Sequence, residues 1–133
     1  MGWILGFLVL LFVAAQAWVR LAPADPGQWH ALPEMAMDRD MEGGAVRVIP
    51  AYPDTLSRLD AIARATPRTT VLAGSPASGM TTYVTRSAFW GFPDYTTVGQ
   101  RGDRVILYAR LRFGRGDFGV NRGRLESWLA ELG

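Results

Sequence analysis

Apolar side chains dominate the beginning of the chain. Residues 2–19 include no charged side chain, and Gln16 is the only strongly polar one. As a helix, these eighteen residues would extend about 27 Å, close to the ~30 Å hydrocarbon core of a bilayer. Trp3 and Trp18 lie near the two ends, where aromatic rings favour the membrane interface. The pattern predicts a transmembrane helix over residues 1–20, with the lipid bilayer as its partner.

The same segment also fits a cleavable signal peptide. Ala15-Gln16-Ala17 has the small-x-small pattern of a cleavage site after an apolar run. Against this alternative, no Lys or Arg precedes the run. Arg20 alone follows it, so basic residues do not fix the side of the membrane on which the remainder lies. We therefore expect a single-pass membrane protein, or an exported protein if the segment is a signal peptide.

Residues 21–44 have the composition of a linker. Three prolines and three glycines interrupt the stretch, and its five acidic side chains outnumber a single basic one, Arg39. Prolines and glycines at this density break regular helices and strands. We therefore expect an acidic Pro/Gly tether over residues 21–44, without a hydrophobic core of its own.

Short segments with strand or helix patterns begin near Ala45. Pro50 ends the first strand, and Asp54 is the predicted N-cap of a helix that ends before Pro67. Enrichment in β-branched and aromatic residues, or alternation of apolar and polar positions, predicts the strands. They cover residues 45–49, 68–73, 80–89, 95–98 and 104–113, and the last two form a hairpin across residues 99–103.

The final predicted helix has the clearest pattern. Asn121 is its predicted N-cap, and Val120 and Leu125 match a hydrophobic staple. One helical face carries the apolar residues Leu125, Trp128, Leu129 and Leu132. The order of elements predicts an α+β domain over residues 45–133. In it, two helices pack on one face of a curved antiparallel sheet of about four to five strands.

Composition excludes several kinds of chemistry. The chain has no Cys and one His, which rules out disulfides, thiol nucleophiles, cysteine-based zinc sites and a multi-histidine metal site within one chain. We expect no metal, no cofactor and no catalytic residue. The net charge of +2 combines an acidic tether with an arginine-rich C-terminal part, which has seven Arg and four acids from Arg101 onward. No nucleic-acid motif accompanies these arginines, so we expect no nucleic-acid partner.

Arginines cluster on one predicted sheet face. Alternation in residues 104–113 places Arg110 and Arg112 beside Tyr108, on the face opposite the apolar positions. Depending on strand register, Arg86 joins them. Such guanidinium groups, with N–H groups at the start of the last helix, favour a phosphate or carboxylate site. Alternatively, the arginines solvate an open sheet face and pair with the acids Asp94, Asp117 and Glu126.

Two stretches resemble a known family. They are Thr85–Asp94, TRSAFWGFPD, and Arg110–Arg122, RLRFGRGDFGVNR. Both are similar to the domain of unknown function 1499 family, and the resemblance extends over roughly residues 45–132. Short bacterial members frequently begin with a hydrophobic segment. The family occurs in bacteria and plastids. The resemblance implies membrane association and no particular reaction, and we expect the membrane to be a bacterial inner membrane.

The family resemblance also implies a set of polar positions. In this sequence they correspond to Arg86, Asp94, Arg112, Arg115, Asp117, Asn121 and Arg122. The sequence departs from the family pattern at Ala88, where a base is frequent, and at Gly116, where Ser is frequent. Without a basic side chain at position 88, the predicted anion site has one positive charge fewer than the family pattern implies.

The main functional hypothesis is a non-enzymatic, membrane-anchored module that binds an anionic or amphiphilic ligand or a membrane protein partner. Its candidate binding residues are Arg86, Asp94, Arg110, Arg112, Arg115, Asp117, Asn121 and Arg122. One alternative is a structural or assembly subunit with an apolar contact made by Trp90, Phe92 and Phe118.

Two further alternatives make specific demands on the fold. A small hydrolase or isomerase that uses Asp94, Asp117 or Ser87 would need these side chains to converge in one cleft. By analogy of fold, a lipid-binding helix-grip protein would need a cavity between the sheet and the last helix, lined by Leu107, Leu111 and Trp128.

Overall fold

The computed structural model describes all 133 residues. Helices cover Gly2–Leu21 (α1), Pro26–Trp29 (α2), Thr55–Ala65 (α3) and Val120–Leu132 (α4). Strands cover Arg39–Met41 (β1), Gly44–Pro50 (β2), Thr69–Ser75 (β3), Met80–Arg86 (β4), Pro93–Arg101 (β5) and Arg104–Leu111 (β6). A single 3₁₀ turn, Pro76–Ser78, joins β3 to β4.

The strands form one open antiparallel sheet in the order β1-β2-β6-β5-β4-β3. The predicted α+β class is confirmed, and the sheet has six strands where four to five were predicted. The additional strand is β1, which pairs with β2 through Arg39 and Val46. Three residues are too few to show an alternating pattern, so this edge strand has no recognisable signature in the sequence.

The β5–β6 hairpin is longer than predicted and its turn is tighter. Arg101 pairs with Arg104, so only Gly102 and Asp103 form the turn. Gly102 has a φ of +63°, the left-handed conformation that two-residue hairpin turns require. The ladder therefore continues to the turn, through residues predicted to be loop.

The helices α3 and α4 pack together on one face of the sheet, as predicted. Trp128 of α4 makes an edge-on contact with Tyr83, with ring centroids 5.8 Å apart, and donates a hydrogen bond to Thr66 Oγ1 at 3.0 Å. The buried core comprises Ala45, Leu59, Ala63, Tyr83, Val98, Val105, Leu107, Ala109, Leu125 and Trp128. Side chains therefore fill the space between sheet and helix in which a helix-grip protein would hold its ligand.

The opposite face of the sheet is covered by the segment expected to be a tether. Trp29 stacks on Tyr95 of β5, with ring centroids 4.2 Å apart. His30 Nδ1 lies 2.8 Å from Thr82 Oγ1, and Arg101 donates to the Pro33 carbonyl at 2.9 Å. Together with β1, these contacts make residues 21–44 part of the folded unit. We call residues 22–35 the cover segment.

The helix α1 projects from one end of this unit. Only Val19 of α1 is buried, and nearly all of the helix is exposed. It is long and apolar enough to cross a membrane, a criterion that a signal sequence near the N-terminus would also meet. Its C-terminal end lies against the end of β4. We call this end of the sheet, where β4 and β6 end and β2 and β5 begin, the α1 end.

Candidate functional site

Three loops meet at the α1 end. They are the β1–β2 turn, residues 87–92 between β4 and β5, and residues 112–119 between β6 and α4. A backbone hydrogen bond joins the β1–β2 turn to the 112–119 loop, because Asp117 N donates to the Glu42 carbonyl at 3.1 Å. The rings of Phe92 and Phe113, with centroids 6.4 Å apart, connect the 87–92 loop to the 112–119 loop. Most of the predicted site residues lie in or beside these loops.

Arg86 joins α1 to the sheet. Its guanidinium donates to the carbonyls of Val19 and Arg20, both at 3.2 Å, and to the Gly91 carbonyl at 2.9 Å. Carbonyls at the end of a helix lack intrahelical partners and carry partial negative charge, so a guanidinium stabilises them. Arg86 therefore fixes the end of α1 and the 87–92 loop in one arrangement.

Arg110 and Arg112 hold the cover segment. Arg110 donates to the Trp29 carbonyl and to Thr97 Oγ1, and its guanidinium lies over the rings of Trp29 and Tyr108. Burial under the cover segment lowers the pKa of Arg110 to about 10. Arg112 donates to Tyr95 Oη at 2.9 Å and to the Pro23 carbonyl at 3.0 Å.

The predicted arginine cluster is thus occupied by main-chain carbonyls of the same chain. Arg86, Arg110 and Arg112 do not converge on one open face, because their guanidinium groups are bound to carbonyls of α1 and of the cover segment. Of the other predicted arginines, Arg115 is exposed and makes no side-chain hydrogen bond or ion pair. Arg122 is half-exposed, with Nη1 3.8 Å from Asp40 Oδ2.

Asp117 caps α4. Its Oδ1 accepts from Gly119 N at 2.9 Å, and its Oδ2 accepts from Asn121 N at 2.9 Å and from Asn121 Nδ2 at 2.7 Å. The prediction that Asn121 is the N-cap is wrong, because Gly119 is the N-cap and Asn121 is a buried residue of the first turn. The predicted staple is wrong too, because Val120 is the first helical residue and not the residue that precedes the N-cap. Positive φ values at Phe118 and Gly119 fold the loop back and bring the Asp117 carboxylate over the helix start.

Asp94 pairs with Arg124, which was not among the predicted binding residues. Arg124 Nη2 lies 3.2 Å from Asp94 Oδ2, and both side chains are mostly buried, with 12% and 16% of their surfaces exposed respectively. Burial raises the pKa of Asp94 above its ordinary value, although Arg124 acts in the opposite direction. Arg124 also donates to Asn121 Oδ1, so Asp94, Arg124, Asn121 and Asp117 form one connected polar group.

A small pocket opens beside this polar group. Its volume is about 190 Å³, and it is lined by Ser87, Phe92, Asp94, Leu111, Phe113, Gly116, Asp117 and Val120. We call it the loop pocket. Its carboxylates belong to Asp94 and Asp117, and Phe92 and Phe113 form an aromatic wall. Of the eight lining residues, only Asp94 and Asp117 were predicted as binding residues, and Ser87 and Phe92 were named only for the hydrolase and assembly alternatives.

The three residues of the hydrolase hypothesis therefore do converge, but each already has a partner. Ser87 Oγ accepts from Phe92 N at 3.0 Å. Both oxygens of Asp117 are bound to the start of α4, and Asp94 is ion-paired with Arg124. No group of three or more His, Cys, Asp or Glu side chains is placed to hold a metal ion.

Comparison with known proteins places the chain in a family. A family model described as a protein of unknown function (DUF1499) matches residues 19–132. The matched part includes the cover segment, the whole sheet, α3 and α4, and leaves out most of α1. Comparison with the curated proteins found no similar sequence. Because the match covers most of the chain, the protein belongs to the DUF1499 family.

Proposed function

We propose that the protein is a non-enzymatic, membrane-anchored module that binds the head group of an amphiphile in the loop pocket. The observation that carries this proposal is the position of the pocket. Its polar floor and aromatic wall lie at the α1 end, beside the only helix long and apolar enough to cross a membrane. A lipid head group at the bilayer surface would be within reach of such a pocket.

The anchoring part of the proposal rests on α1. An exposed apolar helix is strongly unfavourable in water, and a bilayer removes that exposure. We place the protein in the bacterial inner membrane as a single-pass protein. The intact mass of protein purified from membranes tests anchor against signal peptide, since cleavage after Ala17 would remove residues 1–17 and retention leaves the full mass.

The charge of the loop pocket favours a particular head group. The lining of the loop pocket contains two carboxyl groups, those of Asp94 and Asp117, and no basic side chain, since Arg124 pairs with Asp94 from outside the lining. The arginines first predicted to bind an anion are occupied by main-chain carbonyls. A head group that donates hydrogen bonds, such as an amine or a polyol, therefore fits better than a purely anionic ligand.

The size of the pocket limits what it can hold. At about 190 Å³ it is smaller than the roughly 300–1,000 Å³ of sites that enclose a whole small molecule. It is large enough for a head group and too small for acyl chains. The chains would therefore remain in the bilayer, against the aromatic side chains beside the pocket.

A matched pair of variants tests the proposed site. Val120→Phe adds volume at the half-exposed edge of the loop pocket, and we expect it to reduce the lipid that co-purifies with the full-length protein in native mass spectrometry. Val48→Phe makes the same change in a cavity that also includes Asp103 and Arg104, away from the α1 end. It should leave lipid binding unchanged. Equal lipid retention in both variants would show that the loop pocket is not the binding site.

The alternative of an assembly subunit is favoured by Phe118. Its side chain is fully exposed, and its backbone has a φ of +53°, a conformation that residues other than glycine rarely adopt. An apolar ring presented from such a constrained position suits a protein contact. Phe118→Ala should then abolish a cross-linked complex in native membranes. A complex that survives this substitution would rule the alternative out.

A further inference from the structure

We propose that the 87–92 loop inserts into the bilayer beside α1 and forms a second membrane contact. This inference rests on the proposed anchoring by α1. The loop and the proline that follows it have the sequence Ser-Ala-Phe-Trp-Gly-Phe-Pro, without a charged residue. Its rings are exposed to a degree that is unusual for large apolar side chains, 71% for Phe89 and 46% for Trp90.

The position of Trp90 along α1 gives the depth of the loop. The rings of Trp90 and Phe12 meet edge to face, with centroids 6.0 Å apart, and Phe89 packs against Trp90 at 4.8 Å. Phe12 precedes the last residue of α1, Leu21, by about 14 Å along the helix axis. If α1 crosses the bilayer, Trp90 therefore lies on the membrane side of the end of α1, alongside the acyl chains.

The backbone of the loop is suited to an apolar medium. Ser87 N donates to the Phe92 carbonyl at 3.0 Å, and Gly91 N donates to the Ser87 carbonyl at 3.2 Å. The Phe89 and Gly91 carbonyls accept from Arg20 and Arg86, each at 2.9 Å. Backbone groups that enter a membrane must find partners within the protein, and much of this loop already has them.

The two arginines also suit the bilayer surface. Arg20 and Arg86 hold the base of the loop while their charged groups lie near the end of α1, at the level expected for lipid head groups. The aromatic rings of the loop extend from this level along α1. Phe92 continues the row of rings from Trp90 to Phe113, at centroid distances of 6.5 and 6.4 Å. The inserted loop would thus line a path from the acyl chains to the loop pocket.

Site-directed spin labelling tests the insertion, because the chain has no native cysteine. The full-length protein would carry one label, at Phe89→Cys, in vesicles of phosphatidylethanolamine and phosphatidylglycerol. Phe7→Cys in α1 is the membrane control, and Asp103→Cys in the β5–β6 turn is the water control. We expect the Phe89 label to behave like the Phe7 label, accessible to oxygen and protected from a water-soluble nickel reagent.

The controls separate failure of the inference from failure of the anchor. A Phe89 label that behaves like the Asp103 label, while the Phe7 label lies in the bilayer, would overturn the insertion and leave the anchor intact. A Phe7 label in water would overturn both. A loop exposed in vesicles but protected in native membranes would assign it to a protein partner instead, which also contradicts insertion. Ala88→Cys provides a second reporter if the Phe89 variant does not fold.

Discussion

The indole ring of Trp29 stacks on the phenol ring of Tyr95, with the ring planes inclined by only 21°. Trp29 belongs to a stretch with the composition of a flexible linker, and Tyr95 belongs to the middle of the sheet. The stack therefore joins the N-terminal part of the protein to the face of the sheet opposite α3 and α4. It makes the orientation of the domain relative to α1 a property of the fold.

The first prediction concerns the cover segment. Arg110→Ala removes the hydrogen bond to the Trp29 carbonyl and the stacking between two rings, and we expect it to destabilise the protein by about 2–3 kcal/mol. Amide hydrogen exchange in residues 26–33 should accelerate more than exchange in the core. Arg104→Ala is the matched control on the same strand face, because Arg104 is exposed and has no side-chain hydrogen bond. Equal exchange in both variants would contradict the role of Arg110.

The second prediction concerns the junction of α1 and the 87–92 loop. Gly91 has a φ of +73°, and a Cβ atom there would lie 2.7 Å from Arg20 Cζ. Gly91→Ala should therefore displace the Arg20 side chain and speed trypsin cleavage after Arg20. Gly102→Ala is the control, since Gly102 also has a positive φ but no atom within 4 Å of the added Cβ. Cleavage that is unchanged in Gly91→Ala would mean that the junction does not depend on this close approach.

The third prediction concerns the capping of α4. Asp117→Ala leaves the Gly119 and Asn121 amides without their acceptor, which should cost about 1–2 kcal/mol, as the loss of a helix cap does. The melting temperature measured by circular dichroism should fall by several degrees. Asp103→Ala, in the exposed β5–β6 turn, should have little effect. A similar melting temperature in both variants would contradict the capping role.

How much of this structure the sequence could predict depends on the range of the interactions. The α4 face with Leu125 and Trp128 and the β5–β6 hairpin were predicted because helical spacing, alternation and a glycine turn are local patterns. The capping of α4 was assigned to the wrong residue. Asp117 reaches the helix start because Phe118 and Gly119 adopt positive φ values. A positive φ is rare at a phenylalanine, so the sequence does not predict this conformation.

The site residues illustrate the same limit. Arg86, Arg110 and Arg112 lie near the α1 end of the sheet. Their partners are main-chain carbonyls of Arg20, Trp29 and Pro23, more than sixty residues away in the chain. A carbonyl is present at every residue, so no pattern of side chains identifies it as a partner. The cover segment was interpreted as a tether for the same reason.

The fourth prediction is a pH dependence of stability. Burial raises the pKa of Asp94, so the folded protein retains a proton that the unfolded chain loses between the ordinary carboxyl pKa and the raised one. The contribution of Asp94 to stability is therefore greatest below this interval and decreases as the pH rises through it. Denaturant unfolding of the full-length protein in detergent should show this decrease, and Asp94→Asn should remove it. An unchanged pH profile in the variant would contradict the raised pKa.

The proposed function is tested most directly by photo-crosslinking in native membranes. A benzophenone side chain in place of Phe113 would lie in the wall of the loop pocket, and one in place of the exposed Tyr52 would lie away from the α1 end, beside the C-terminal end of α4. Illumination should produce lipid adducts, detected by intact-protein mass spectrometry, at the Phe113 position and not at the Tyr52 position. Lipid adducts in equal amount at both positions, or at neither, would contradict a head-group site in the loop pocket.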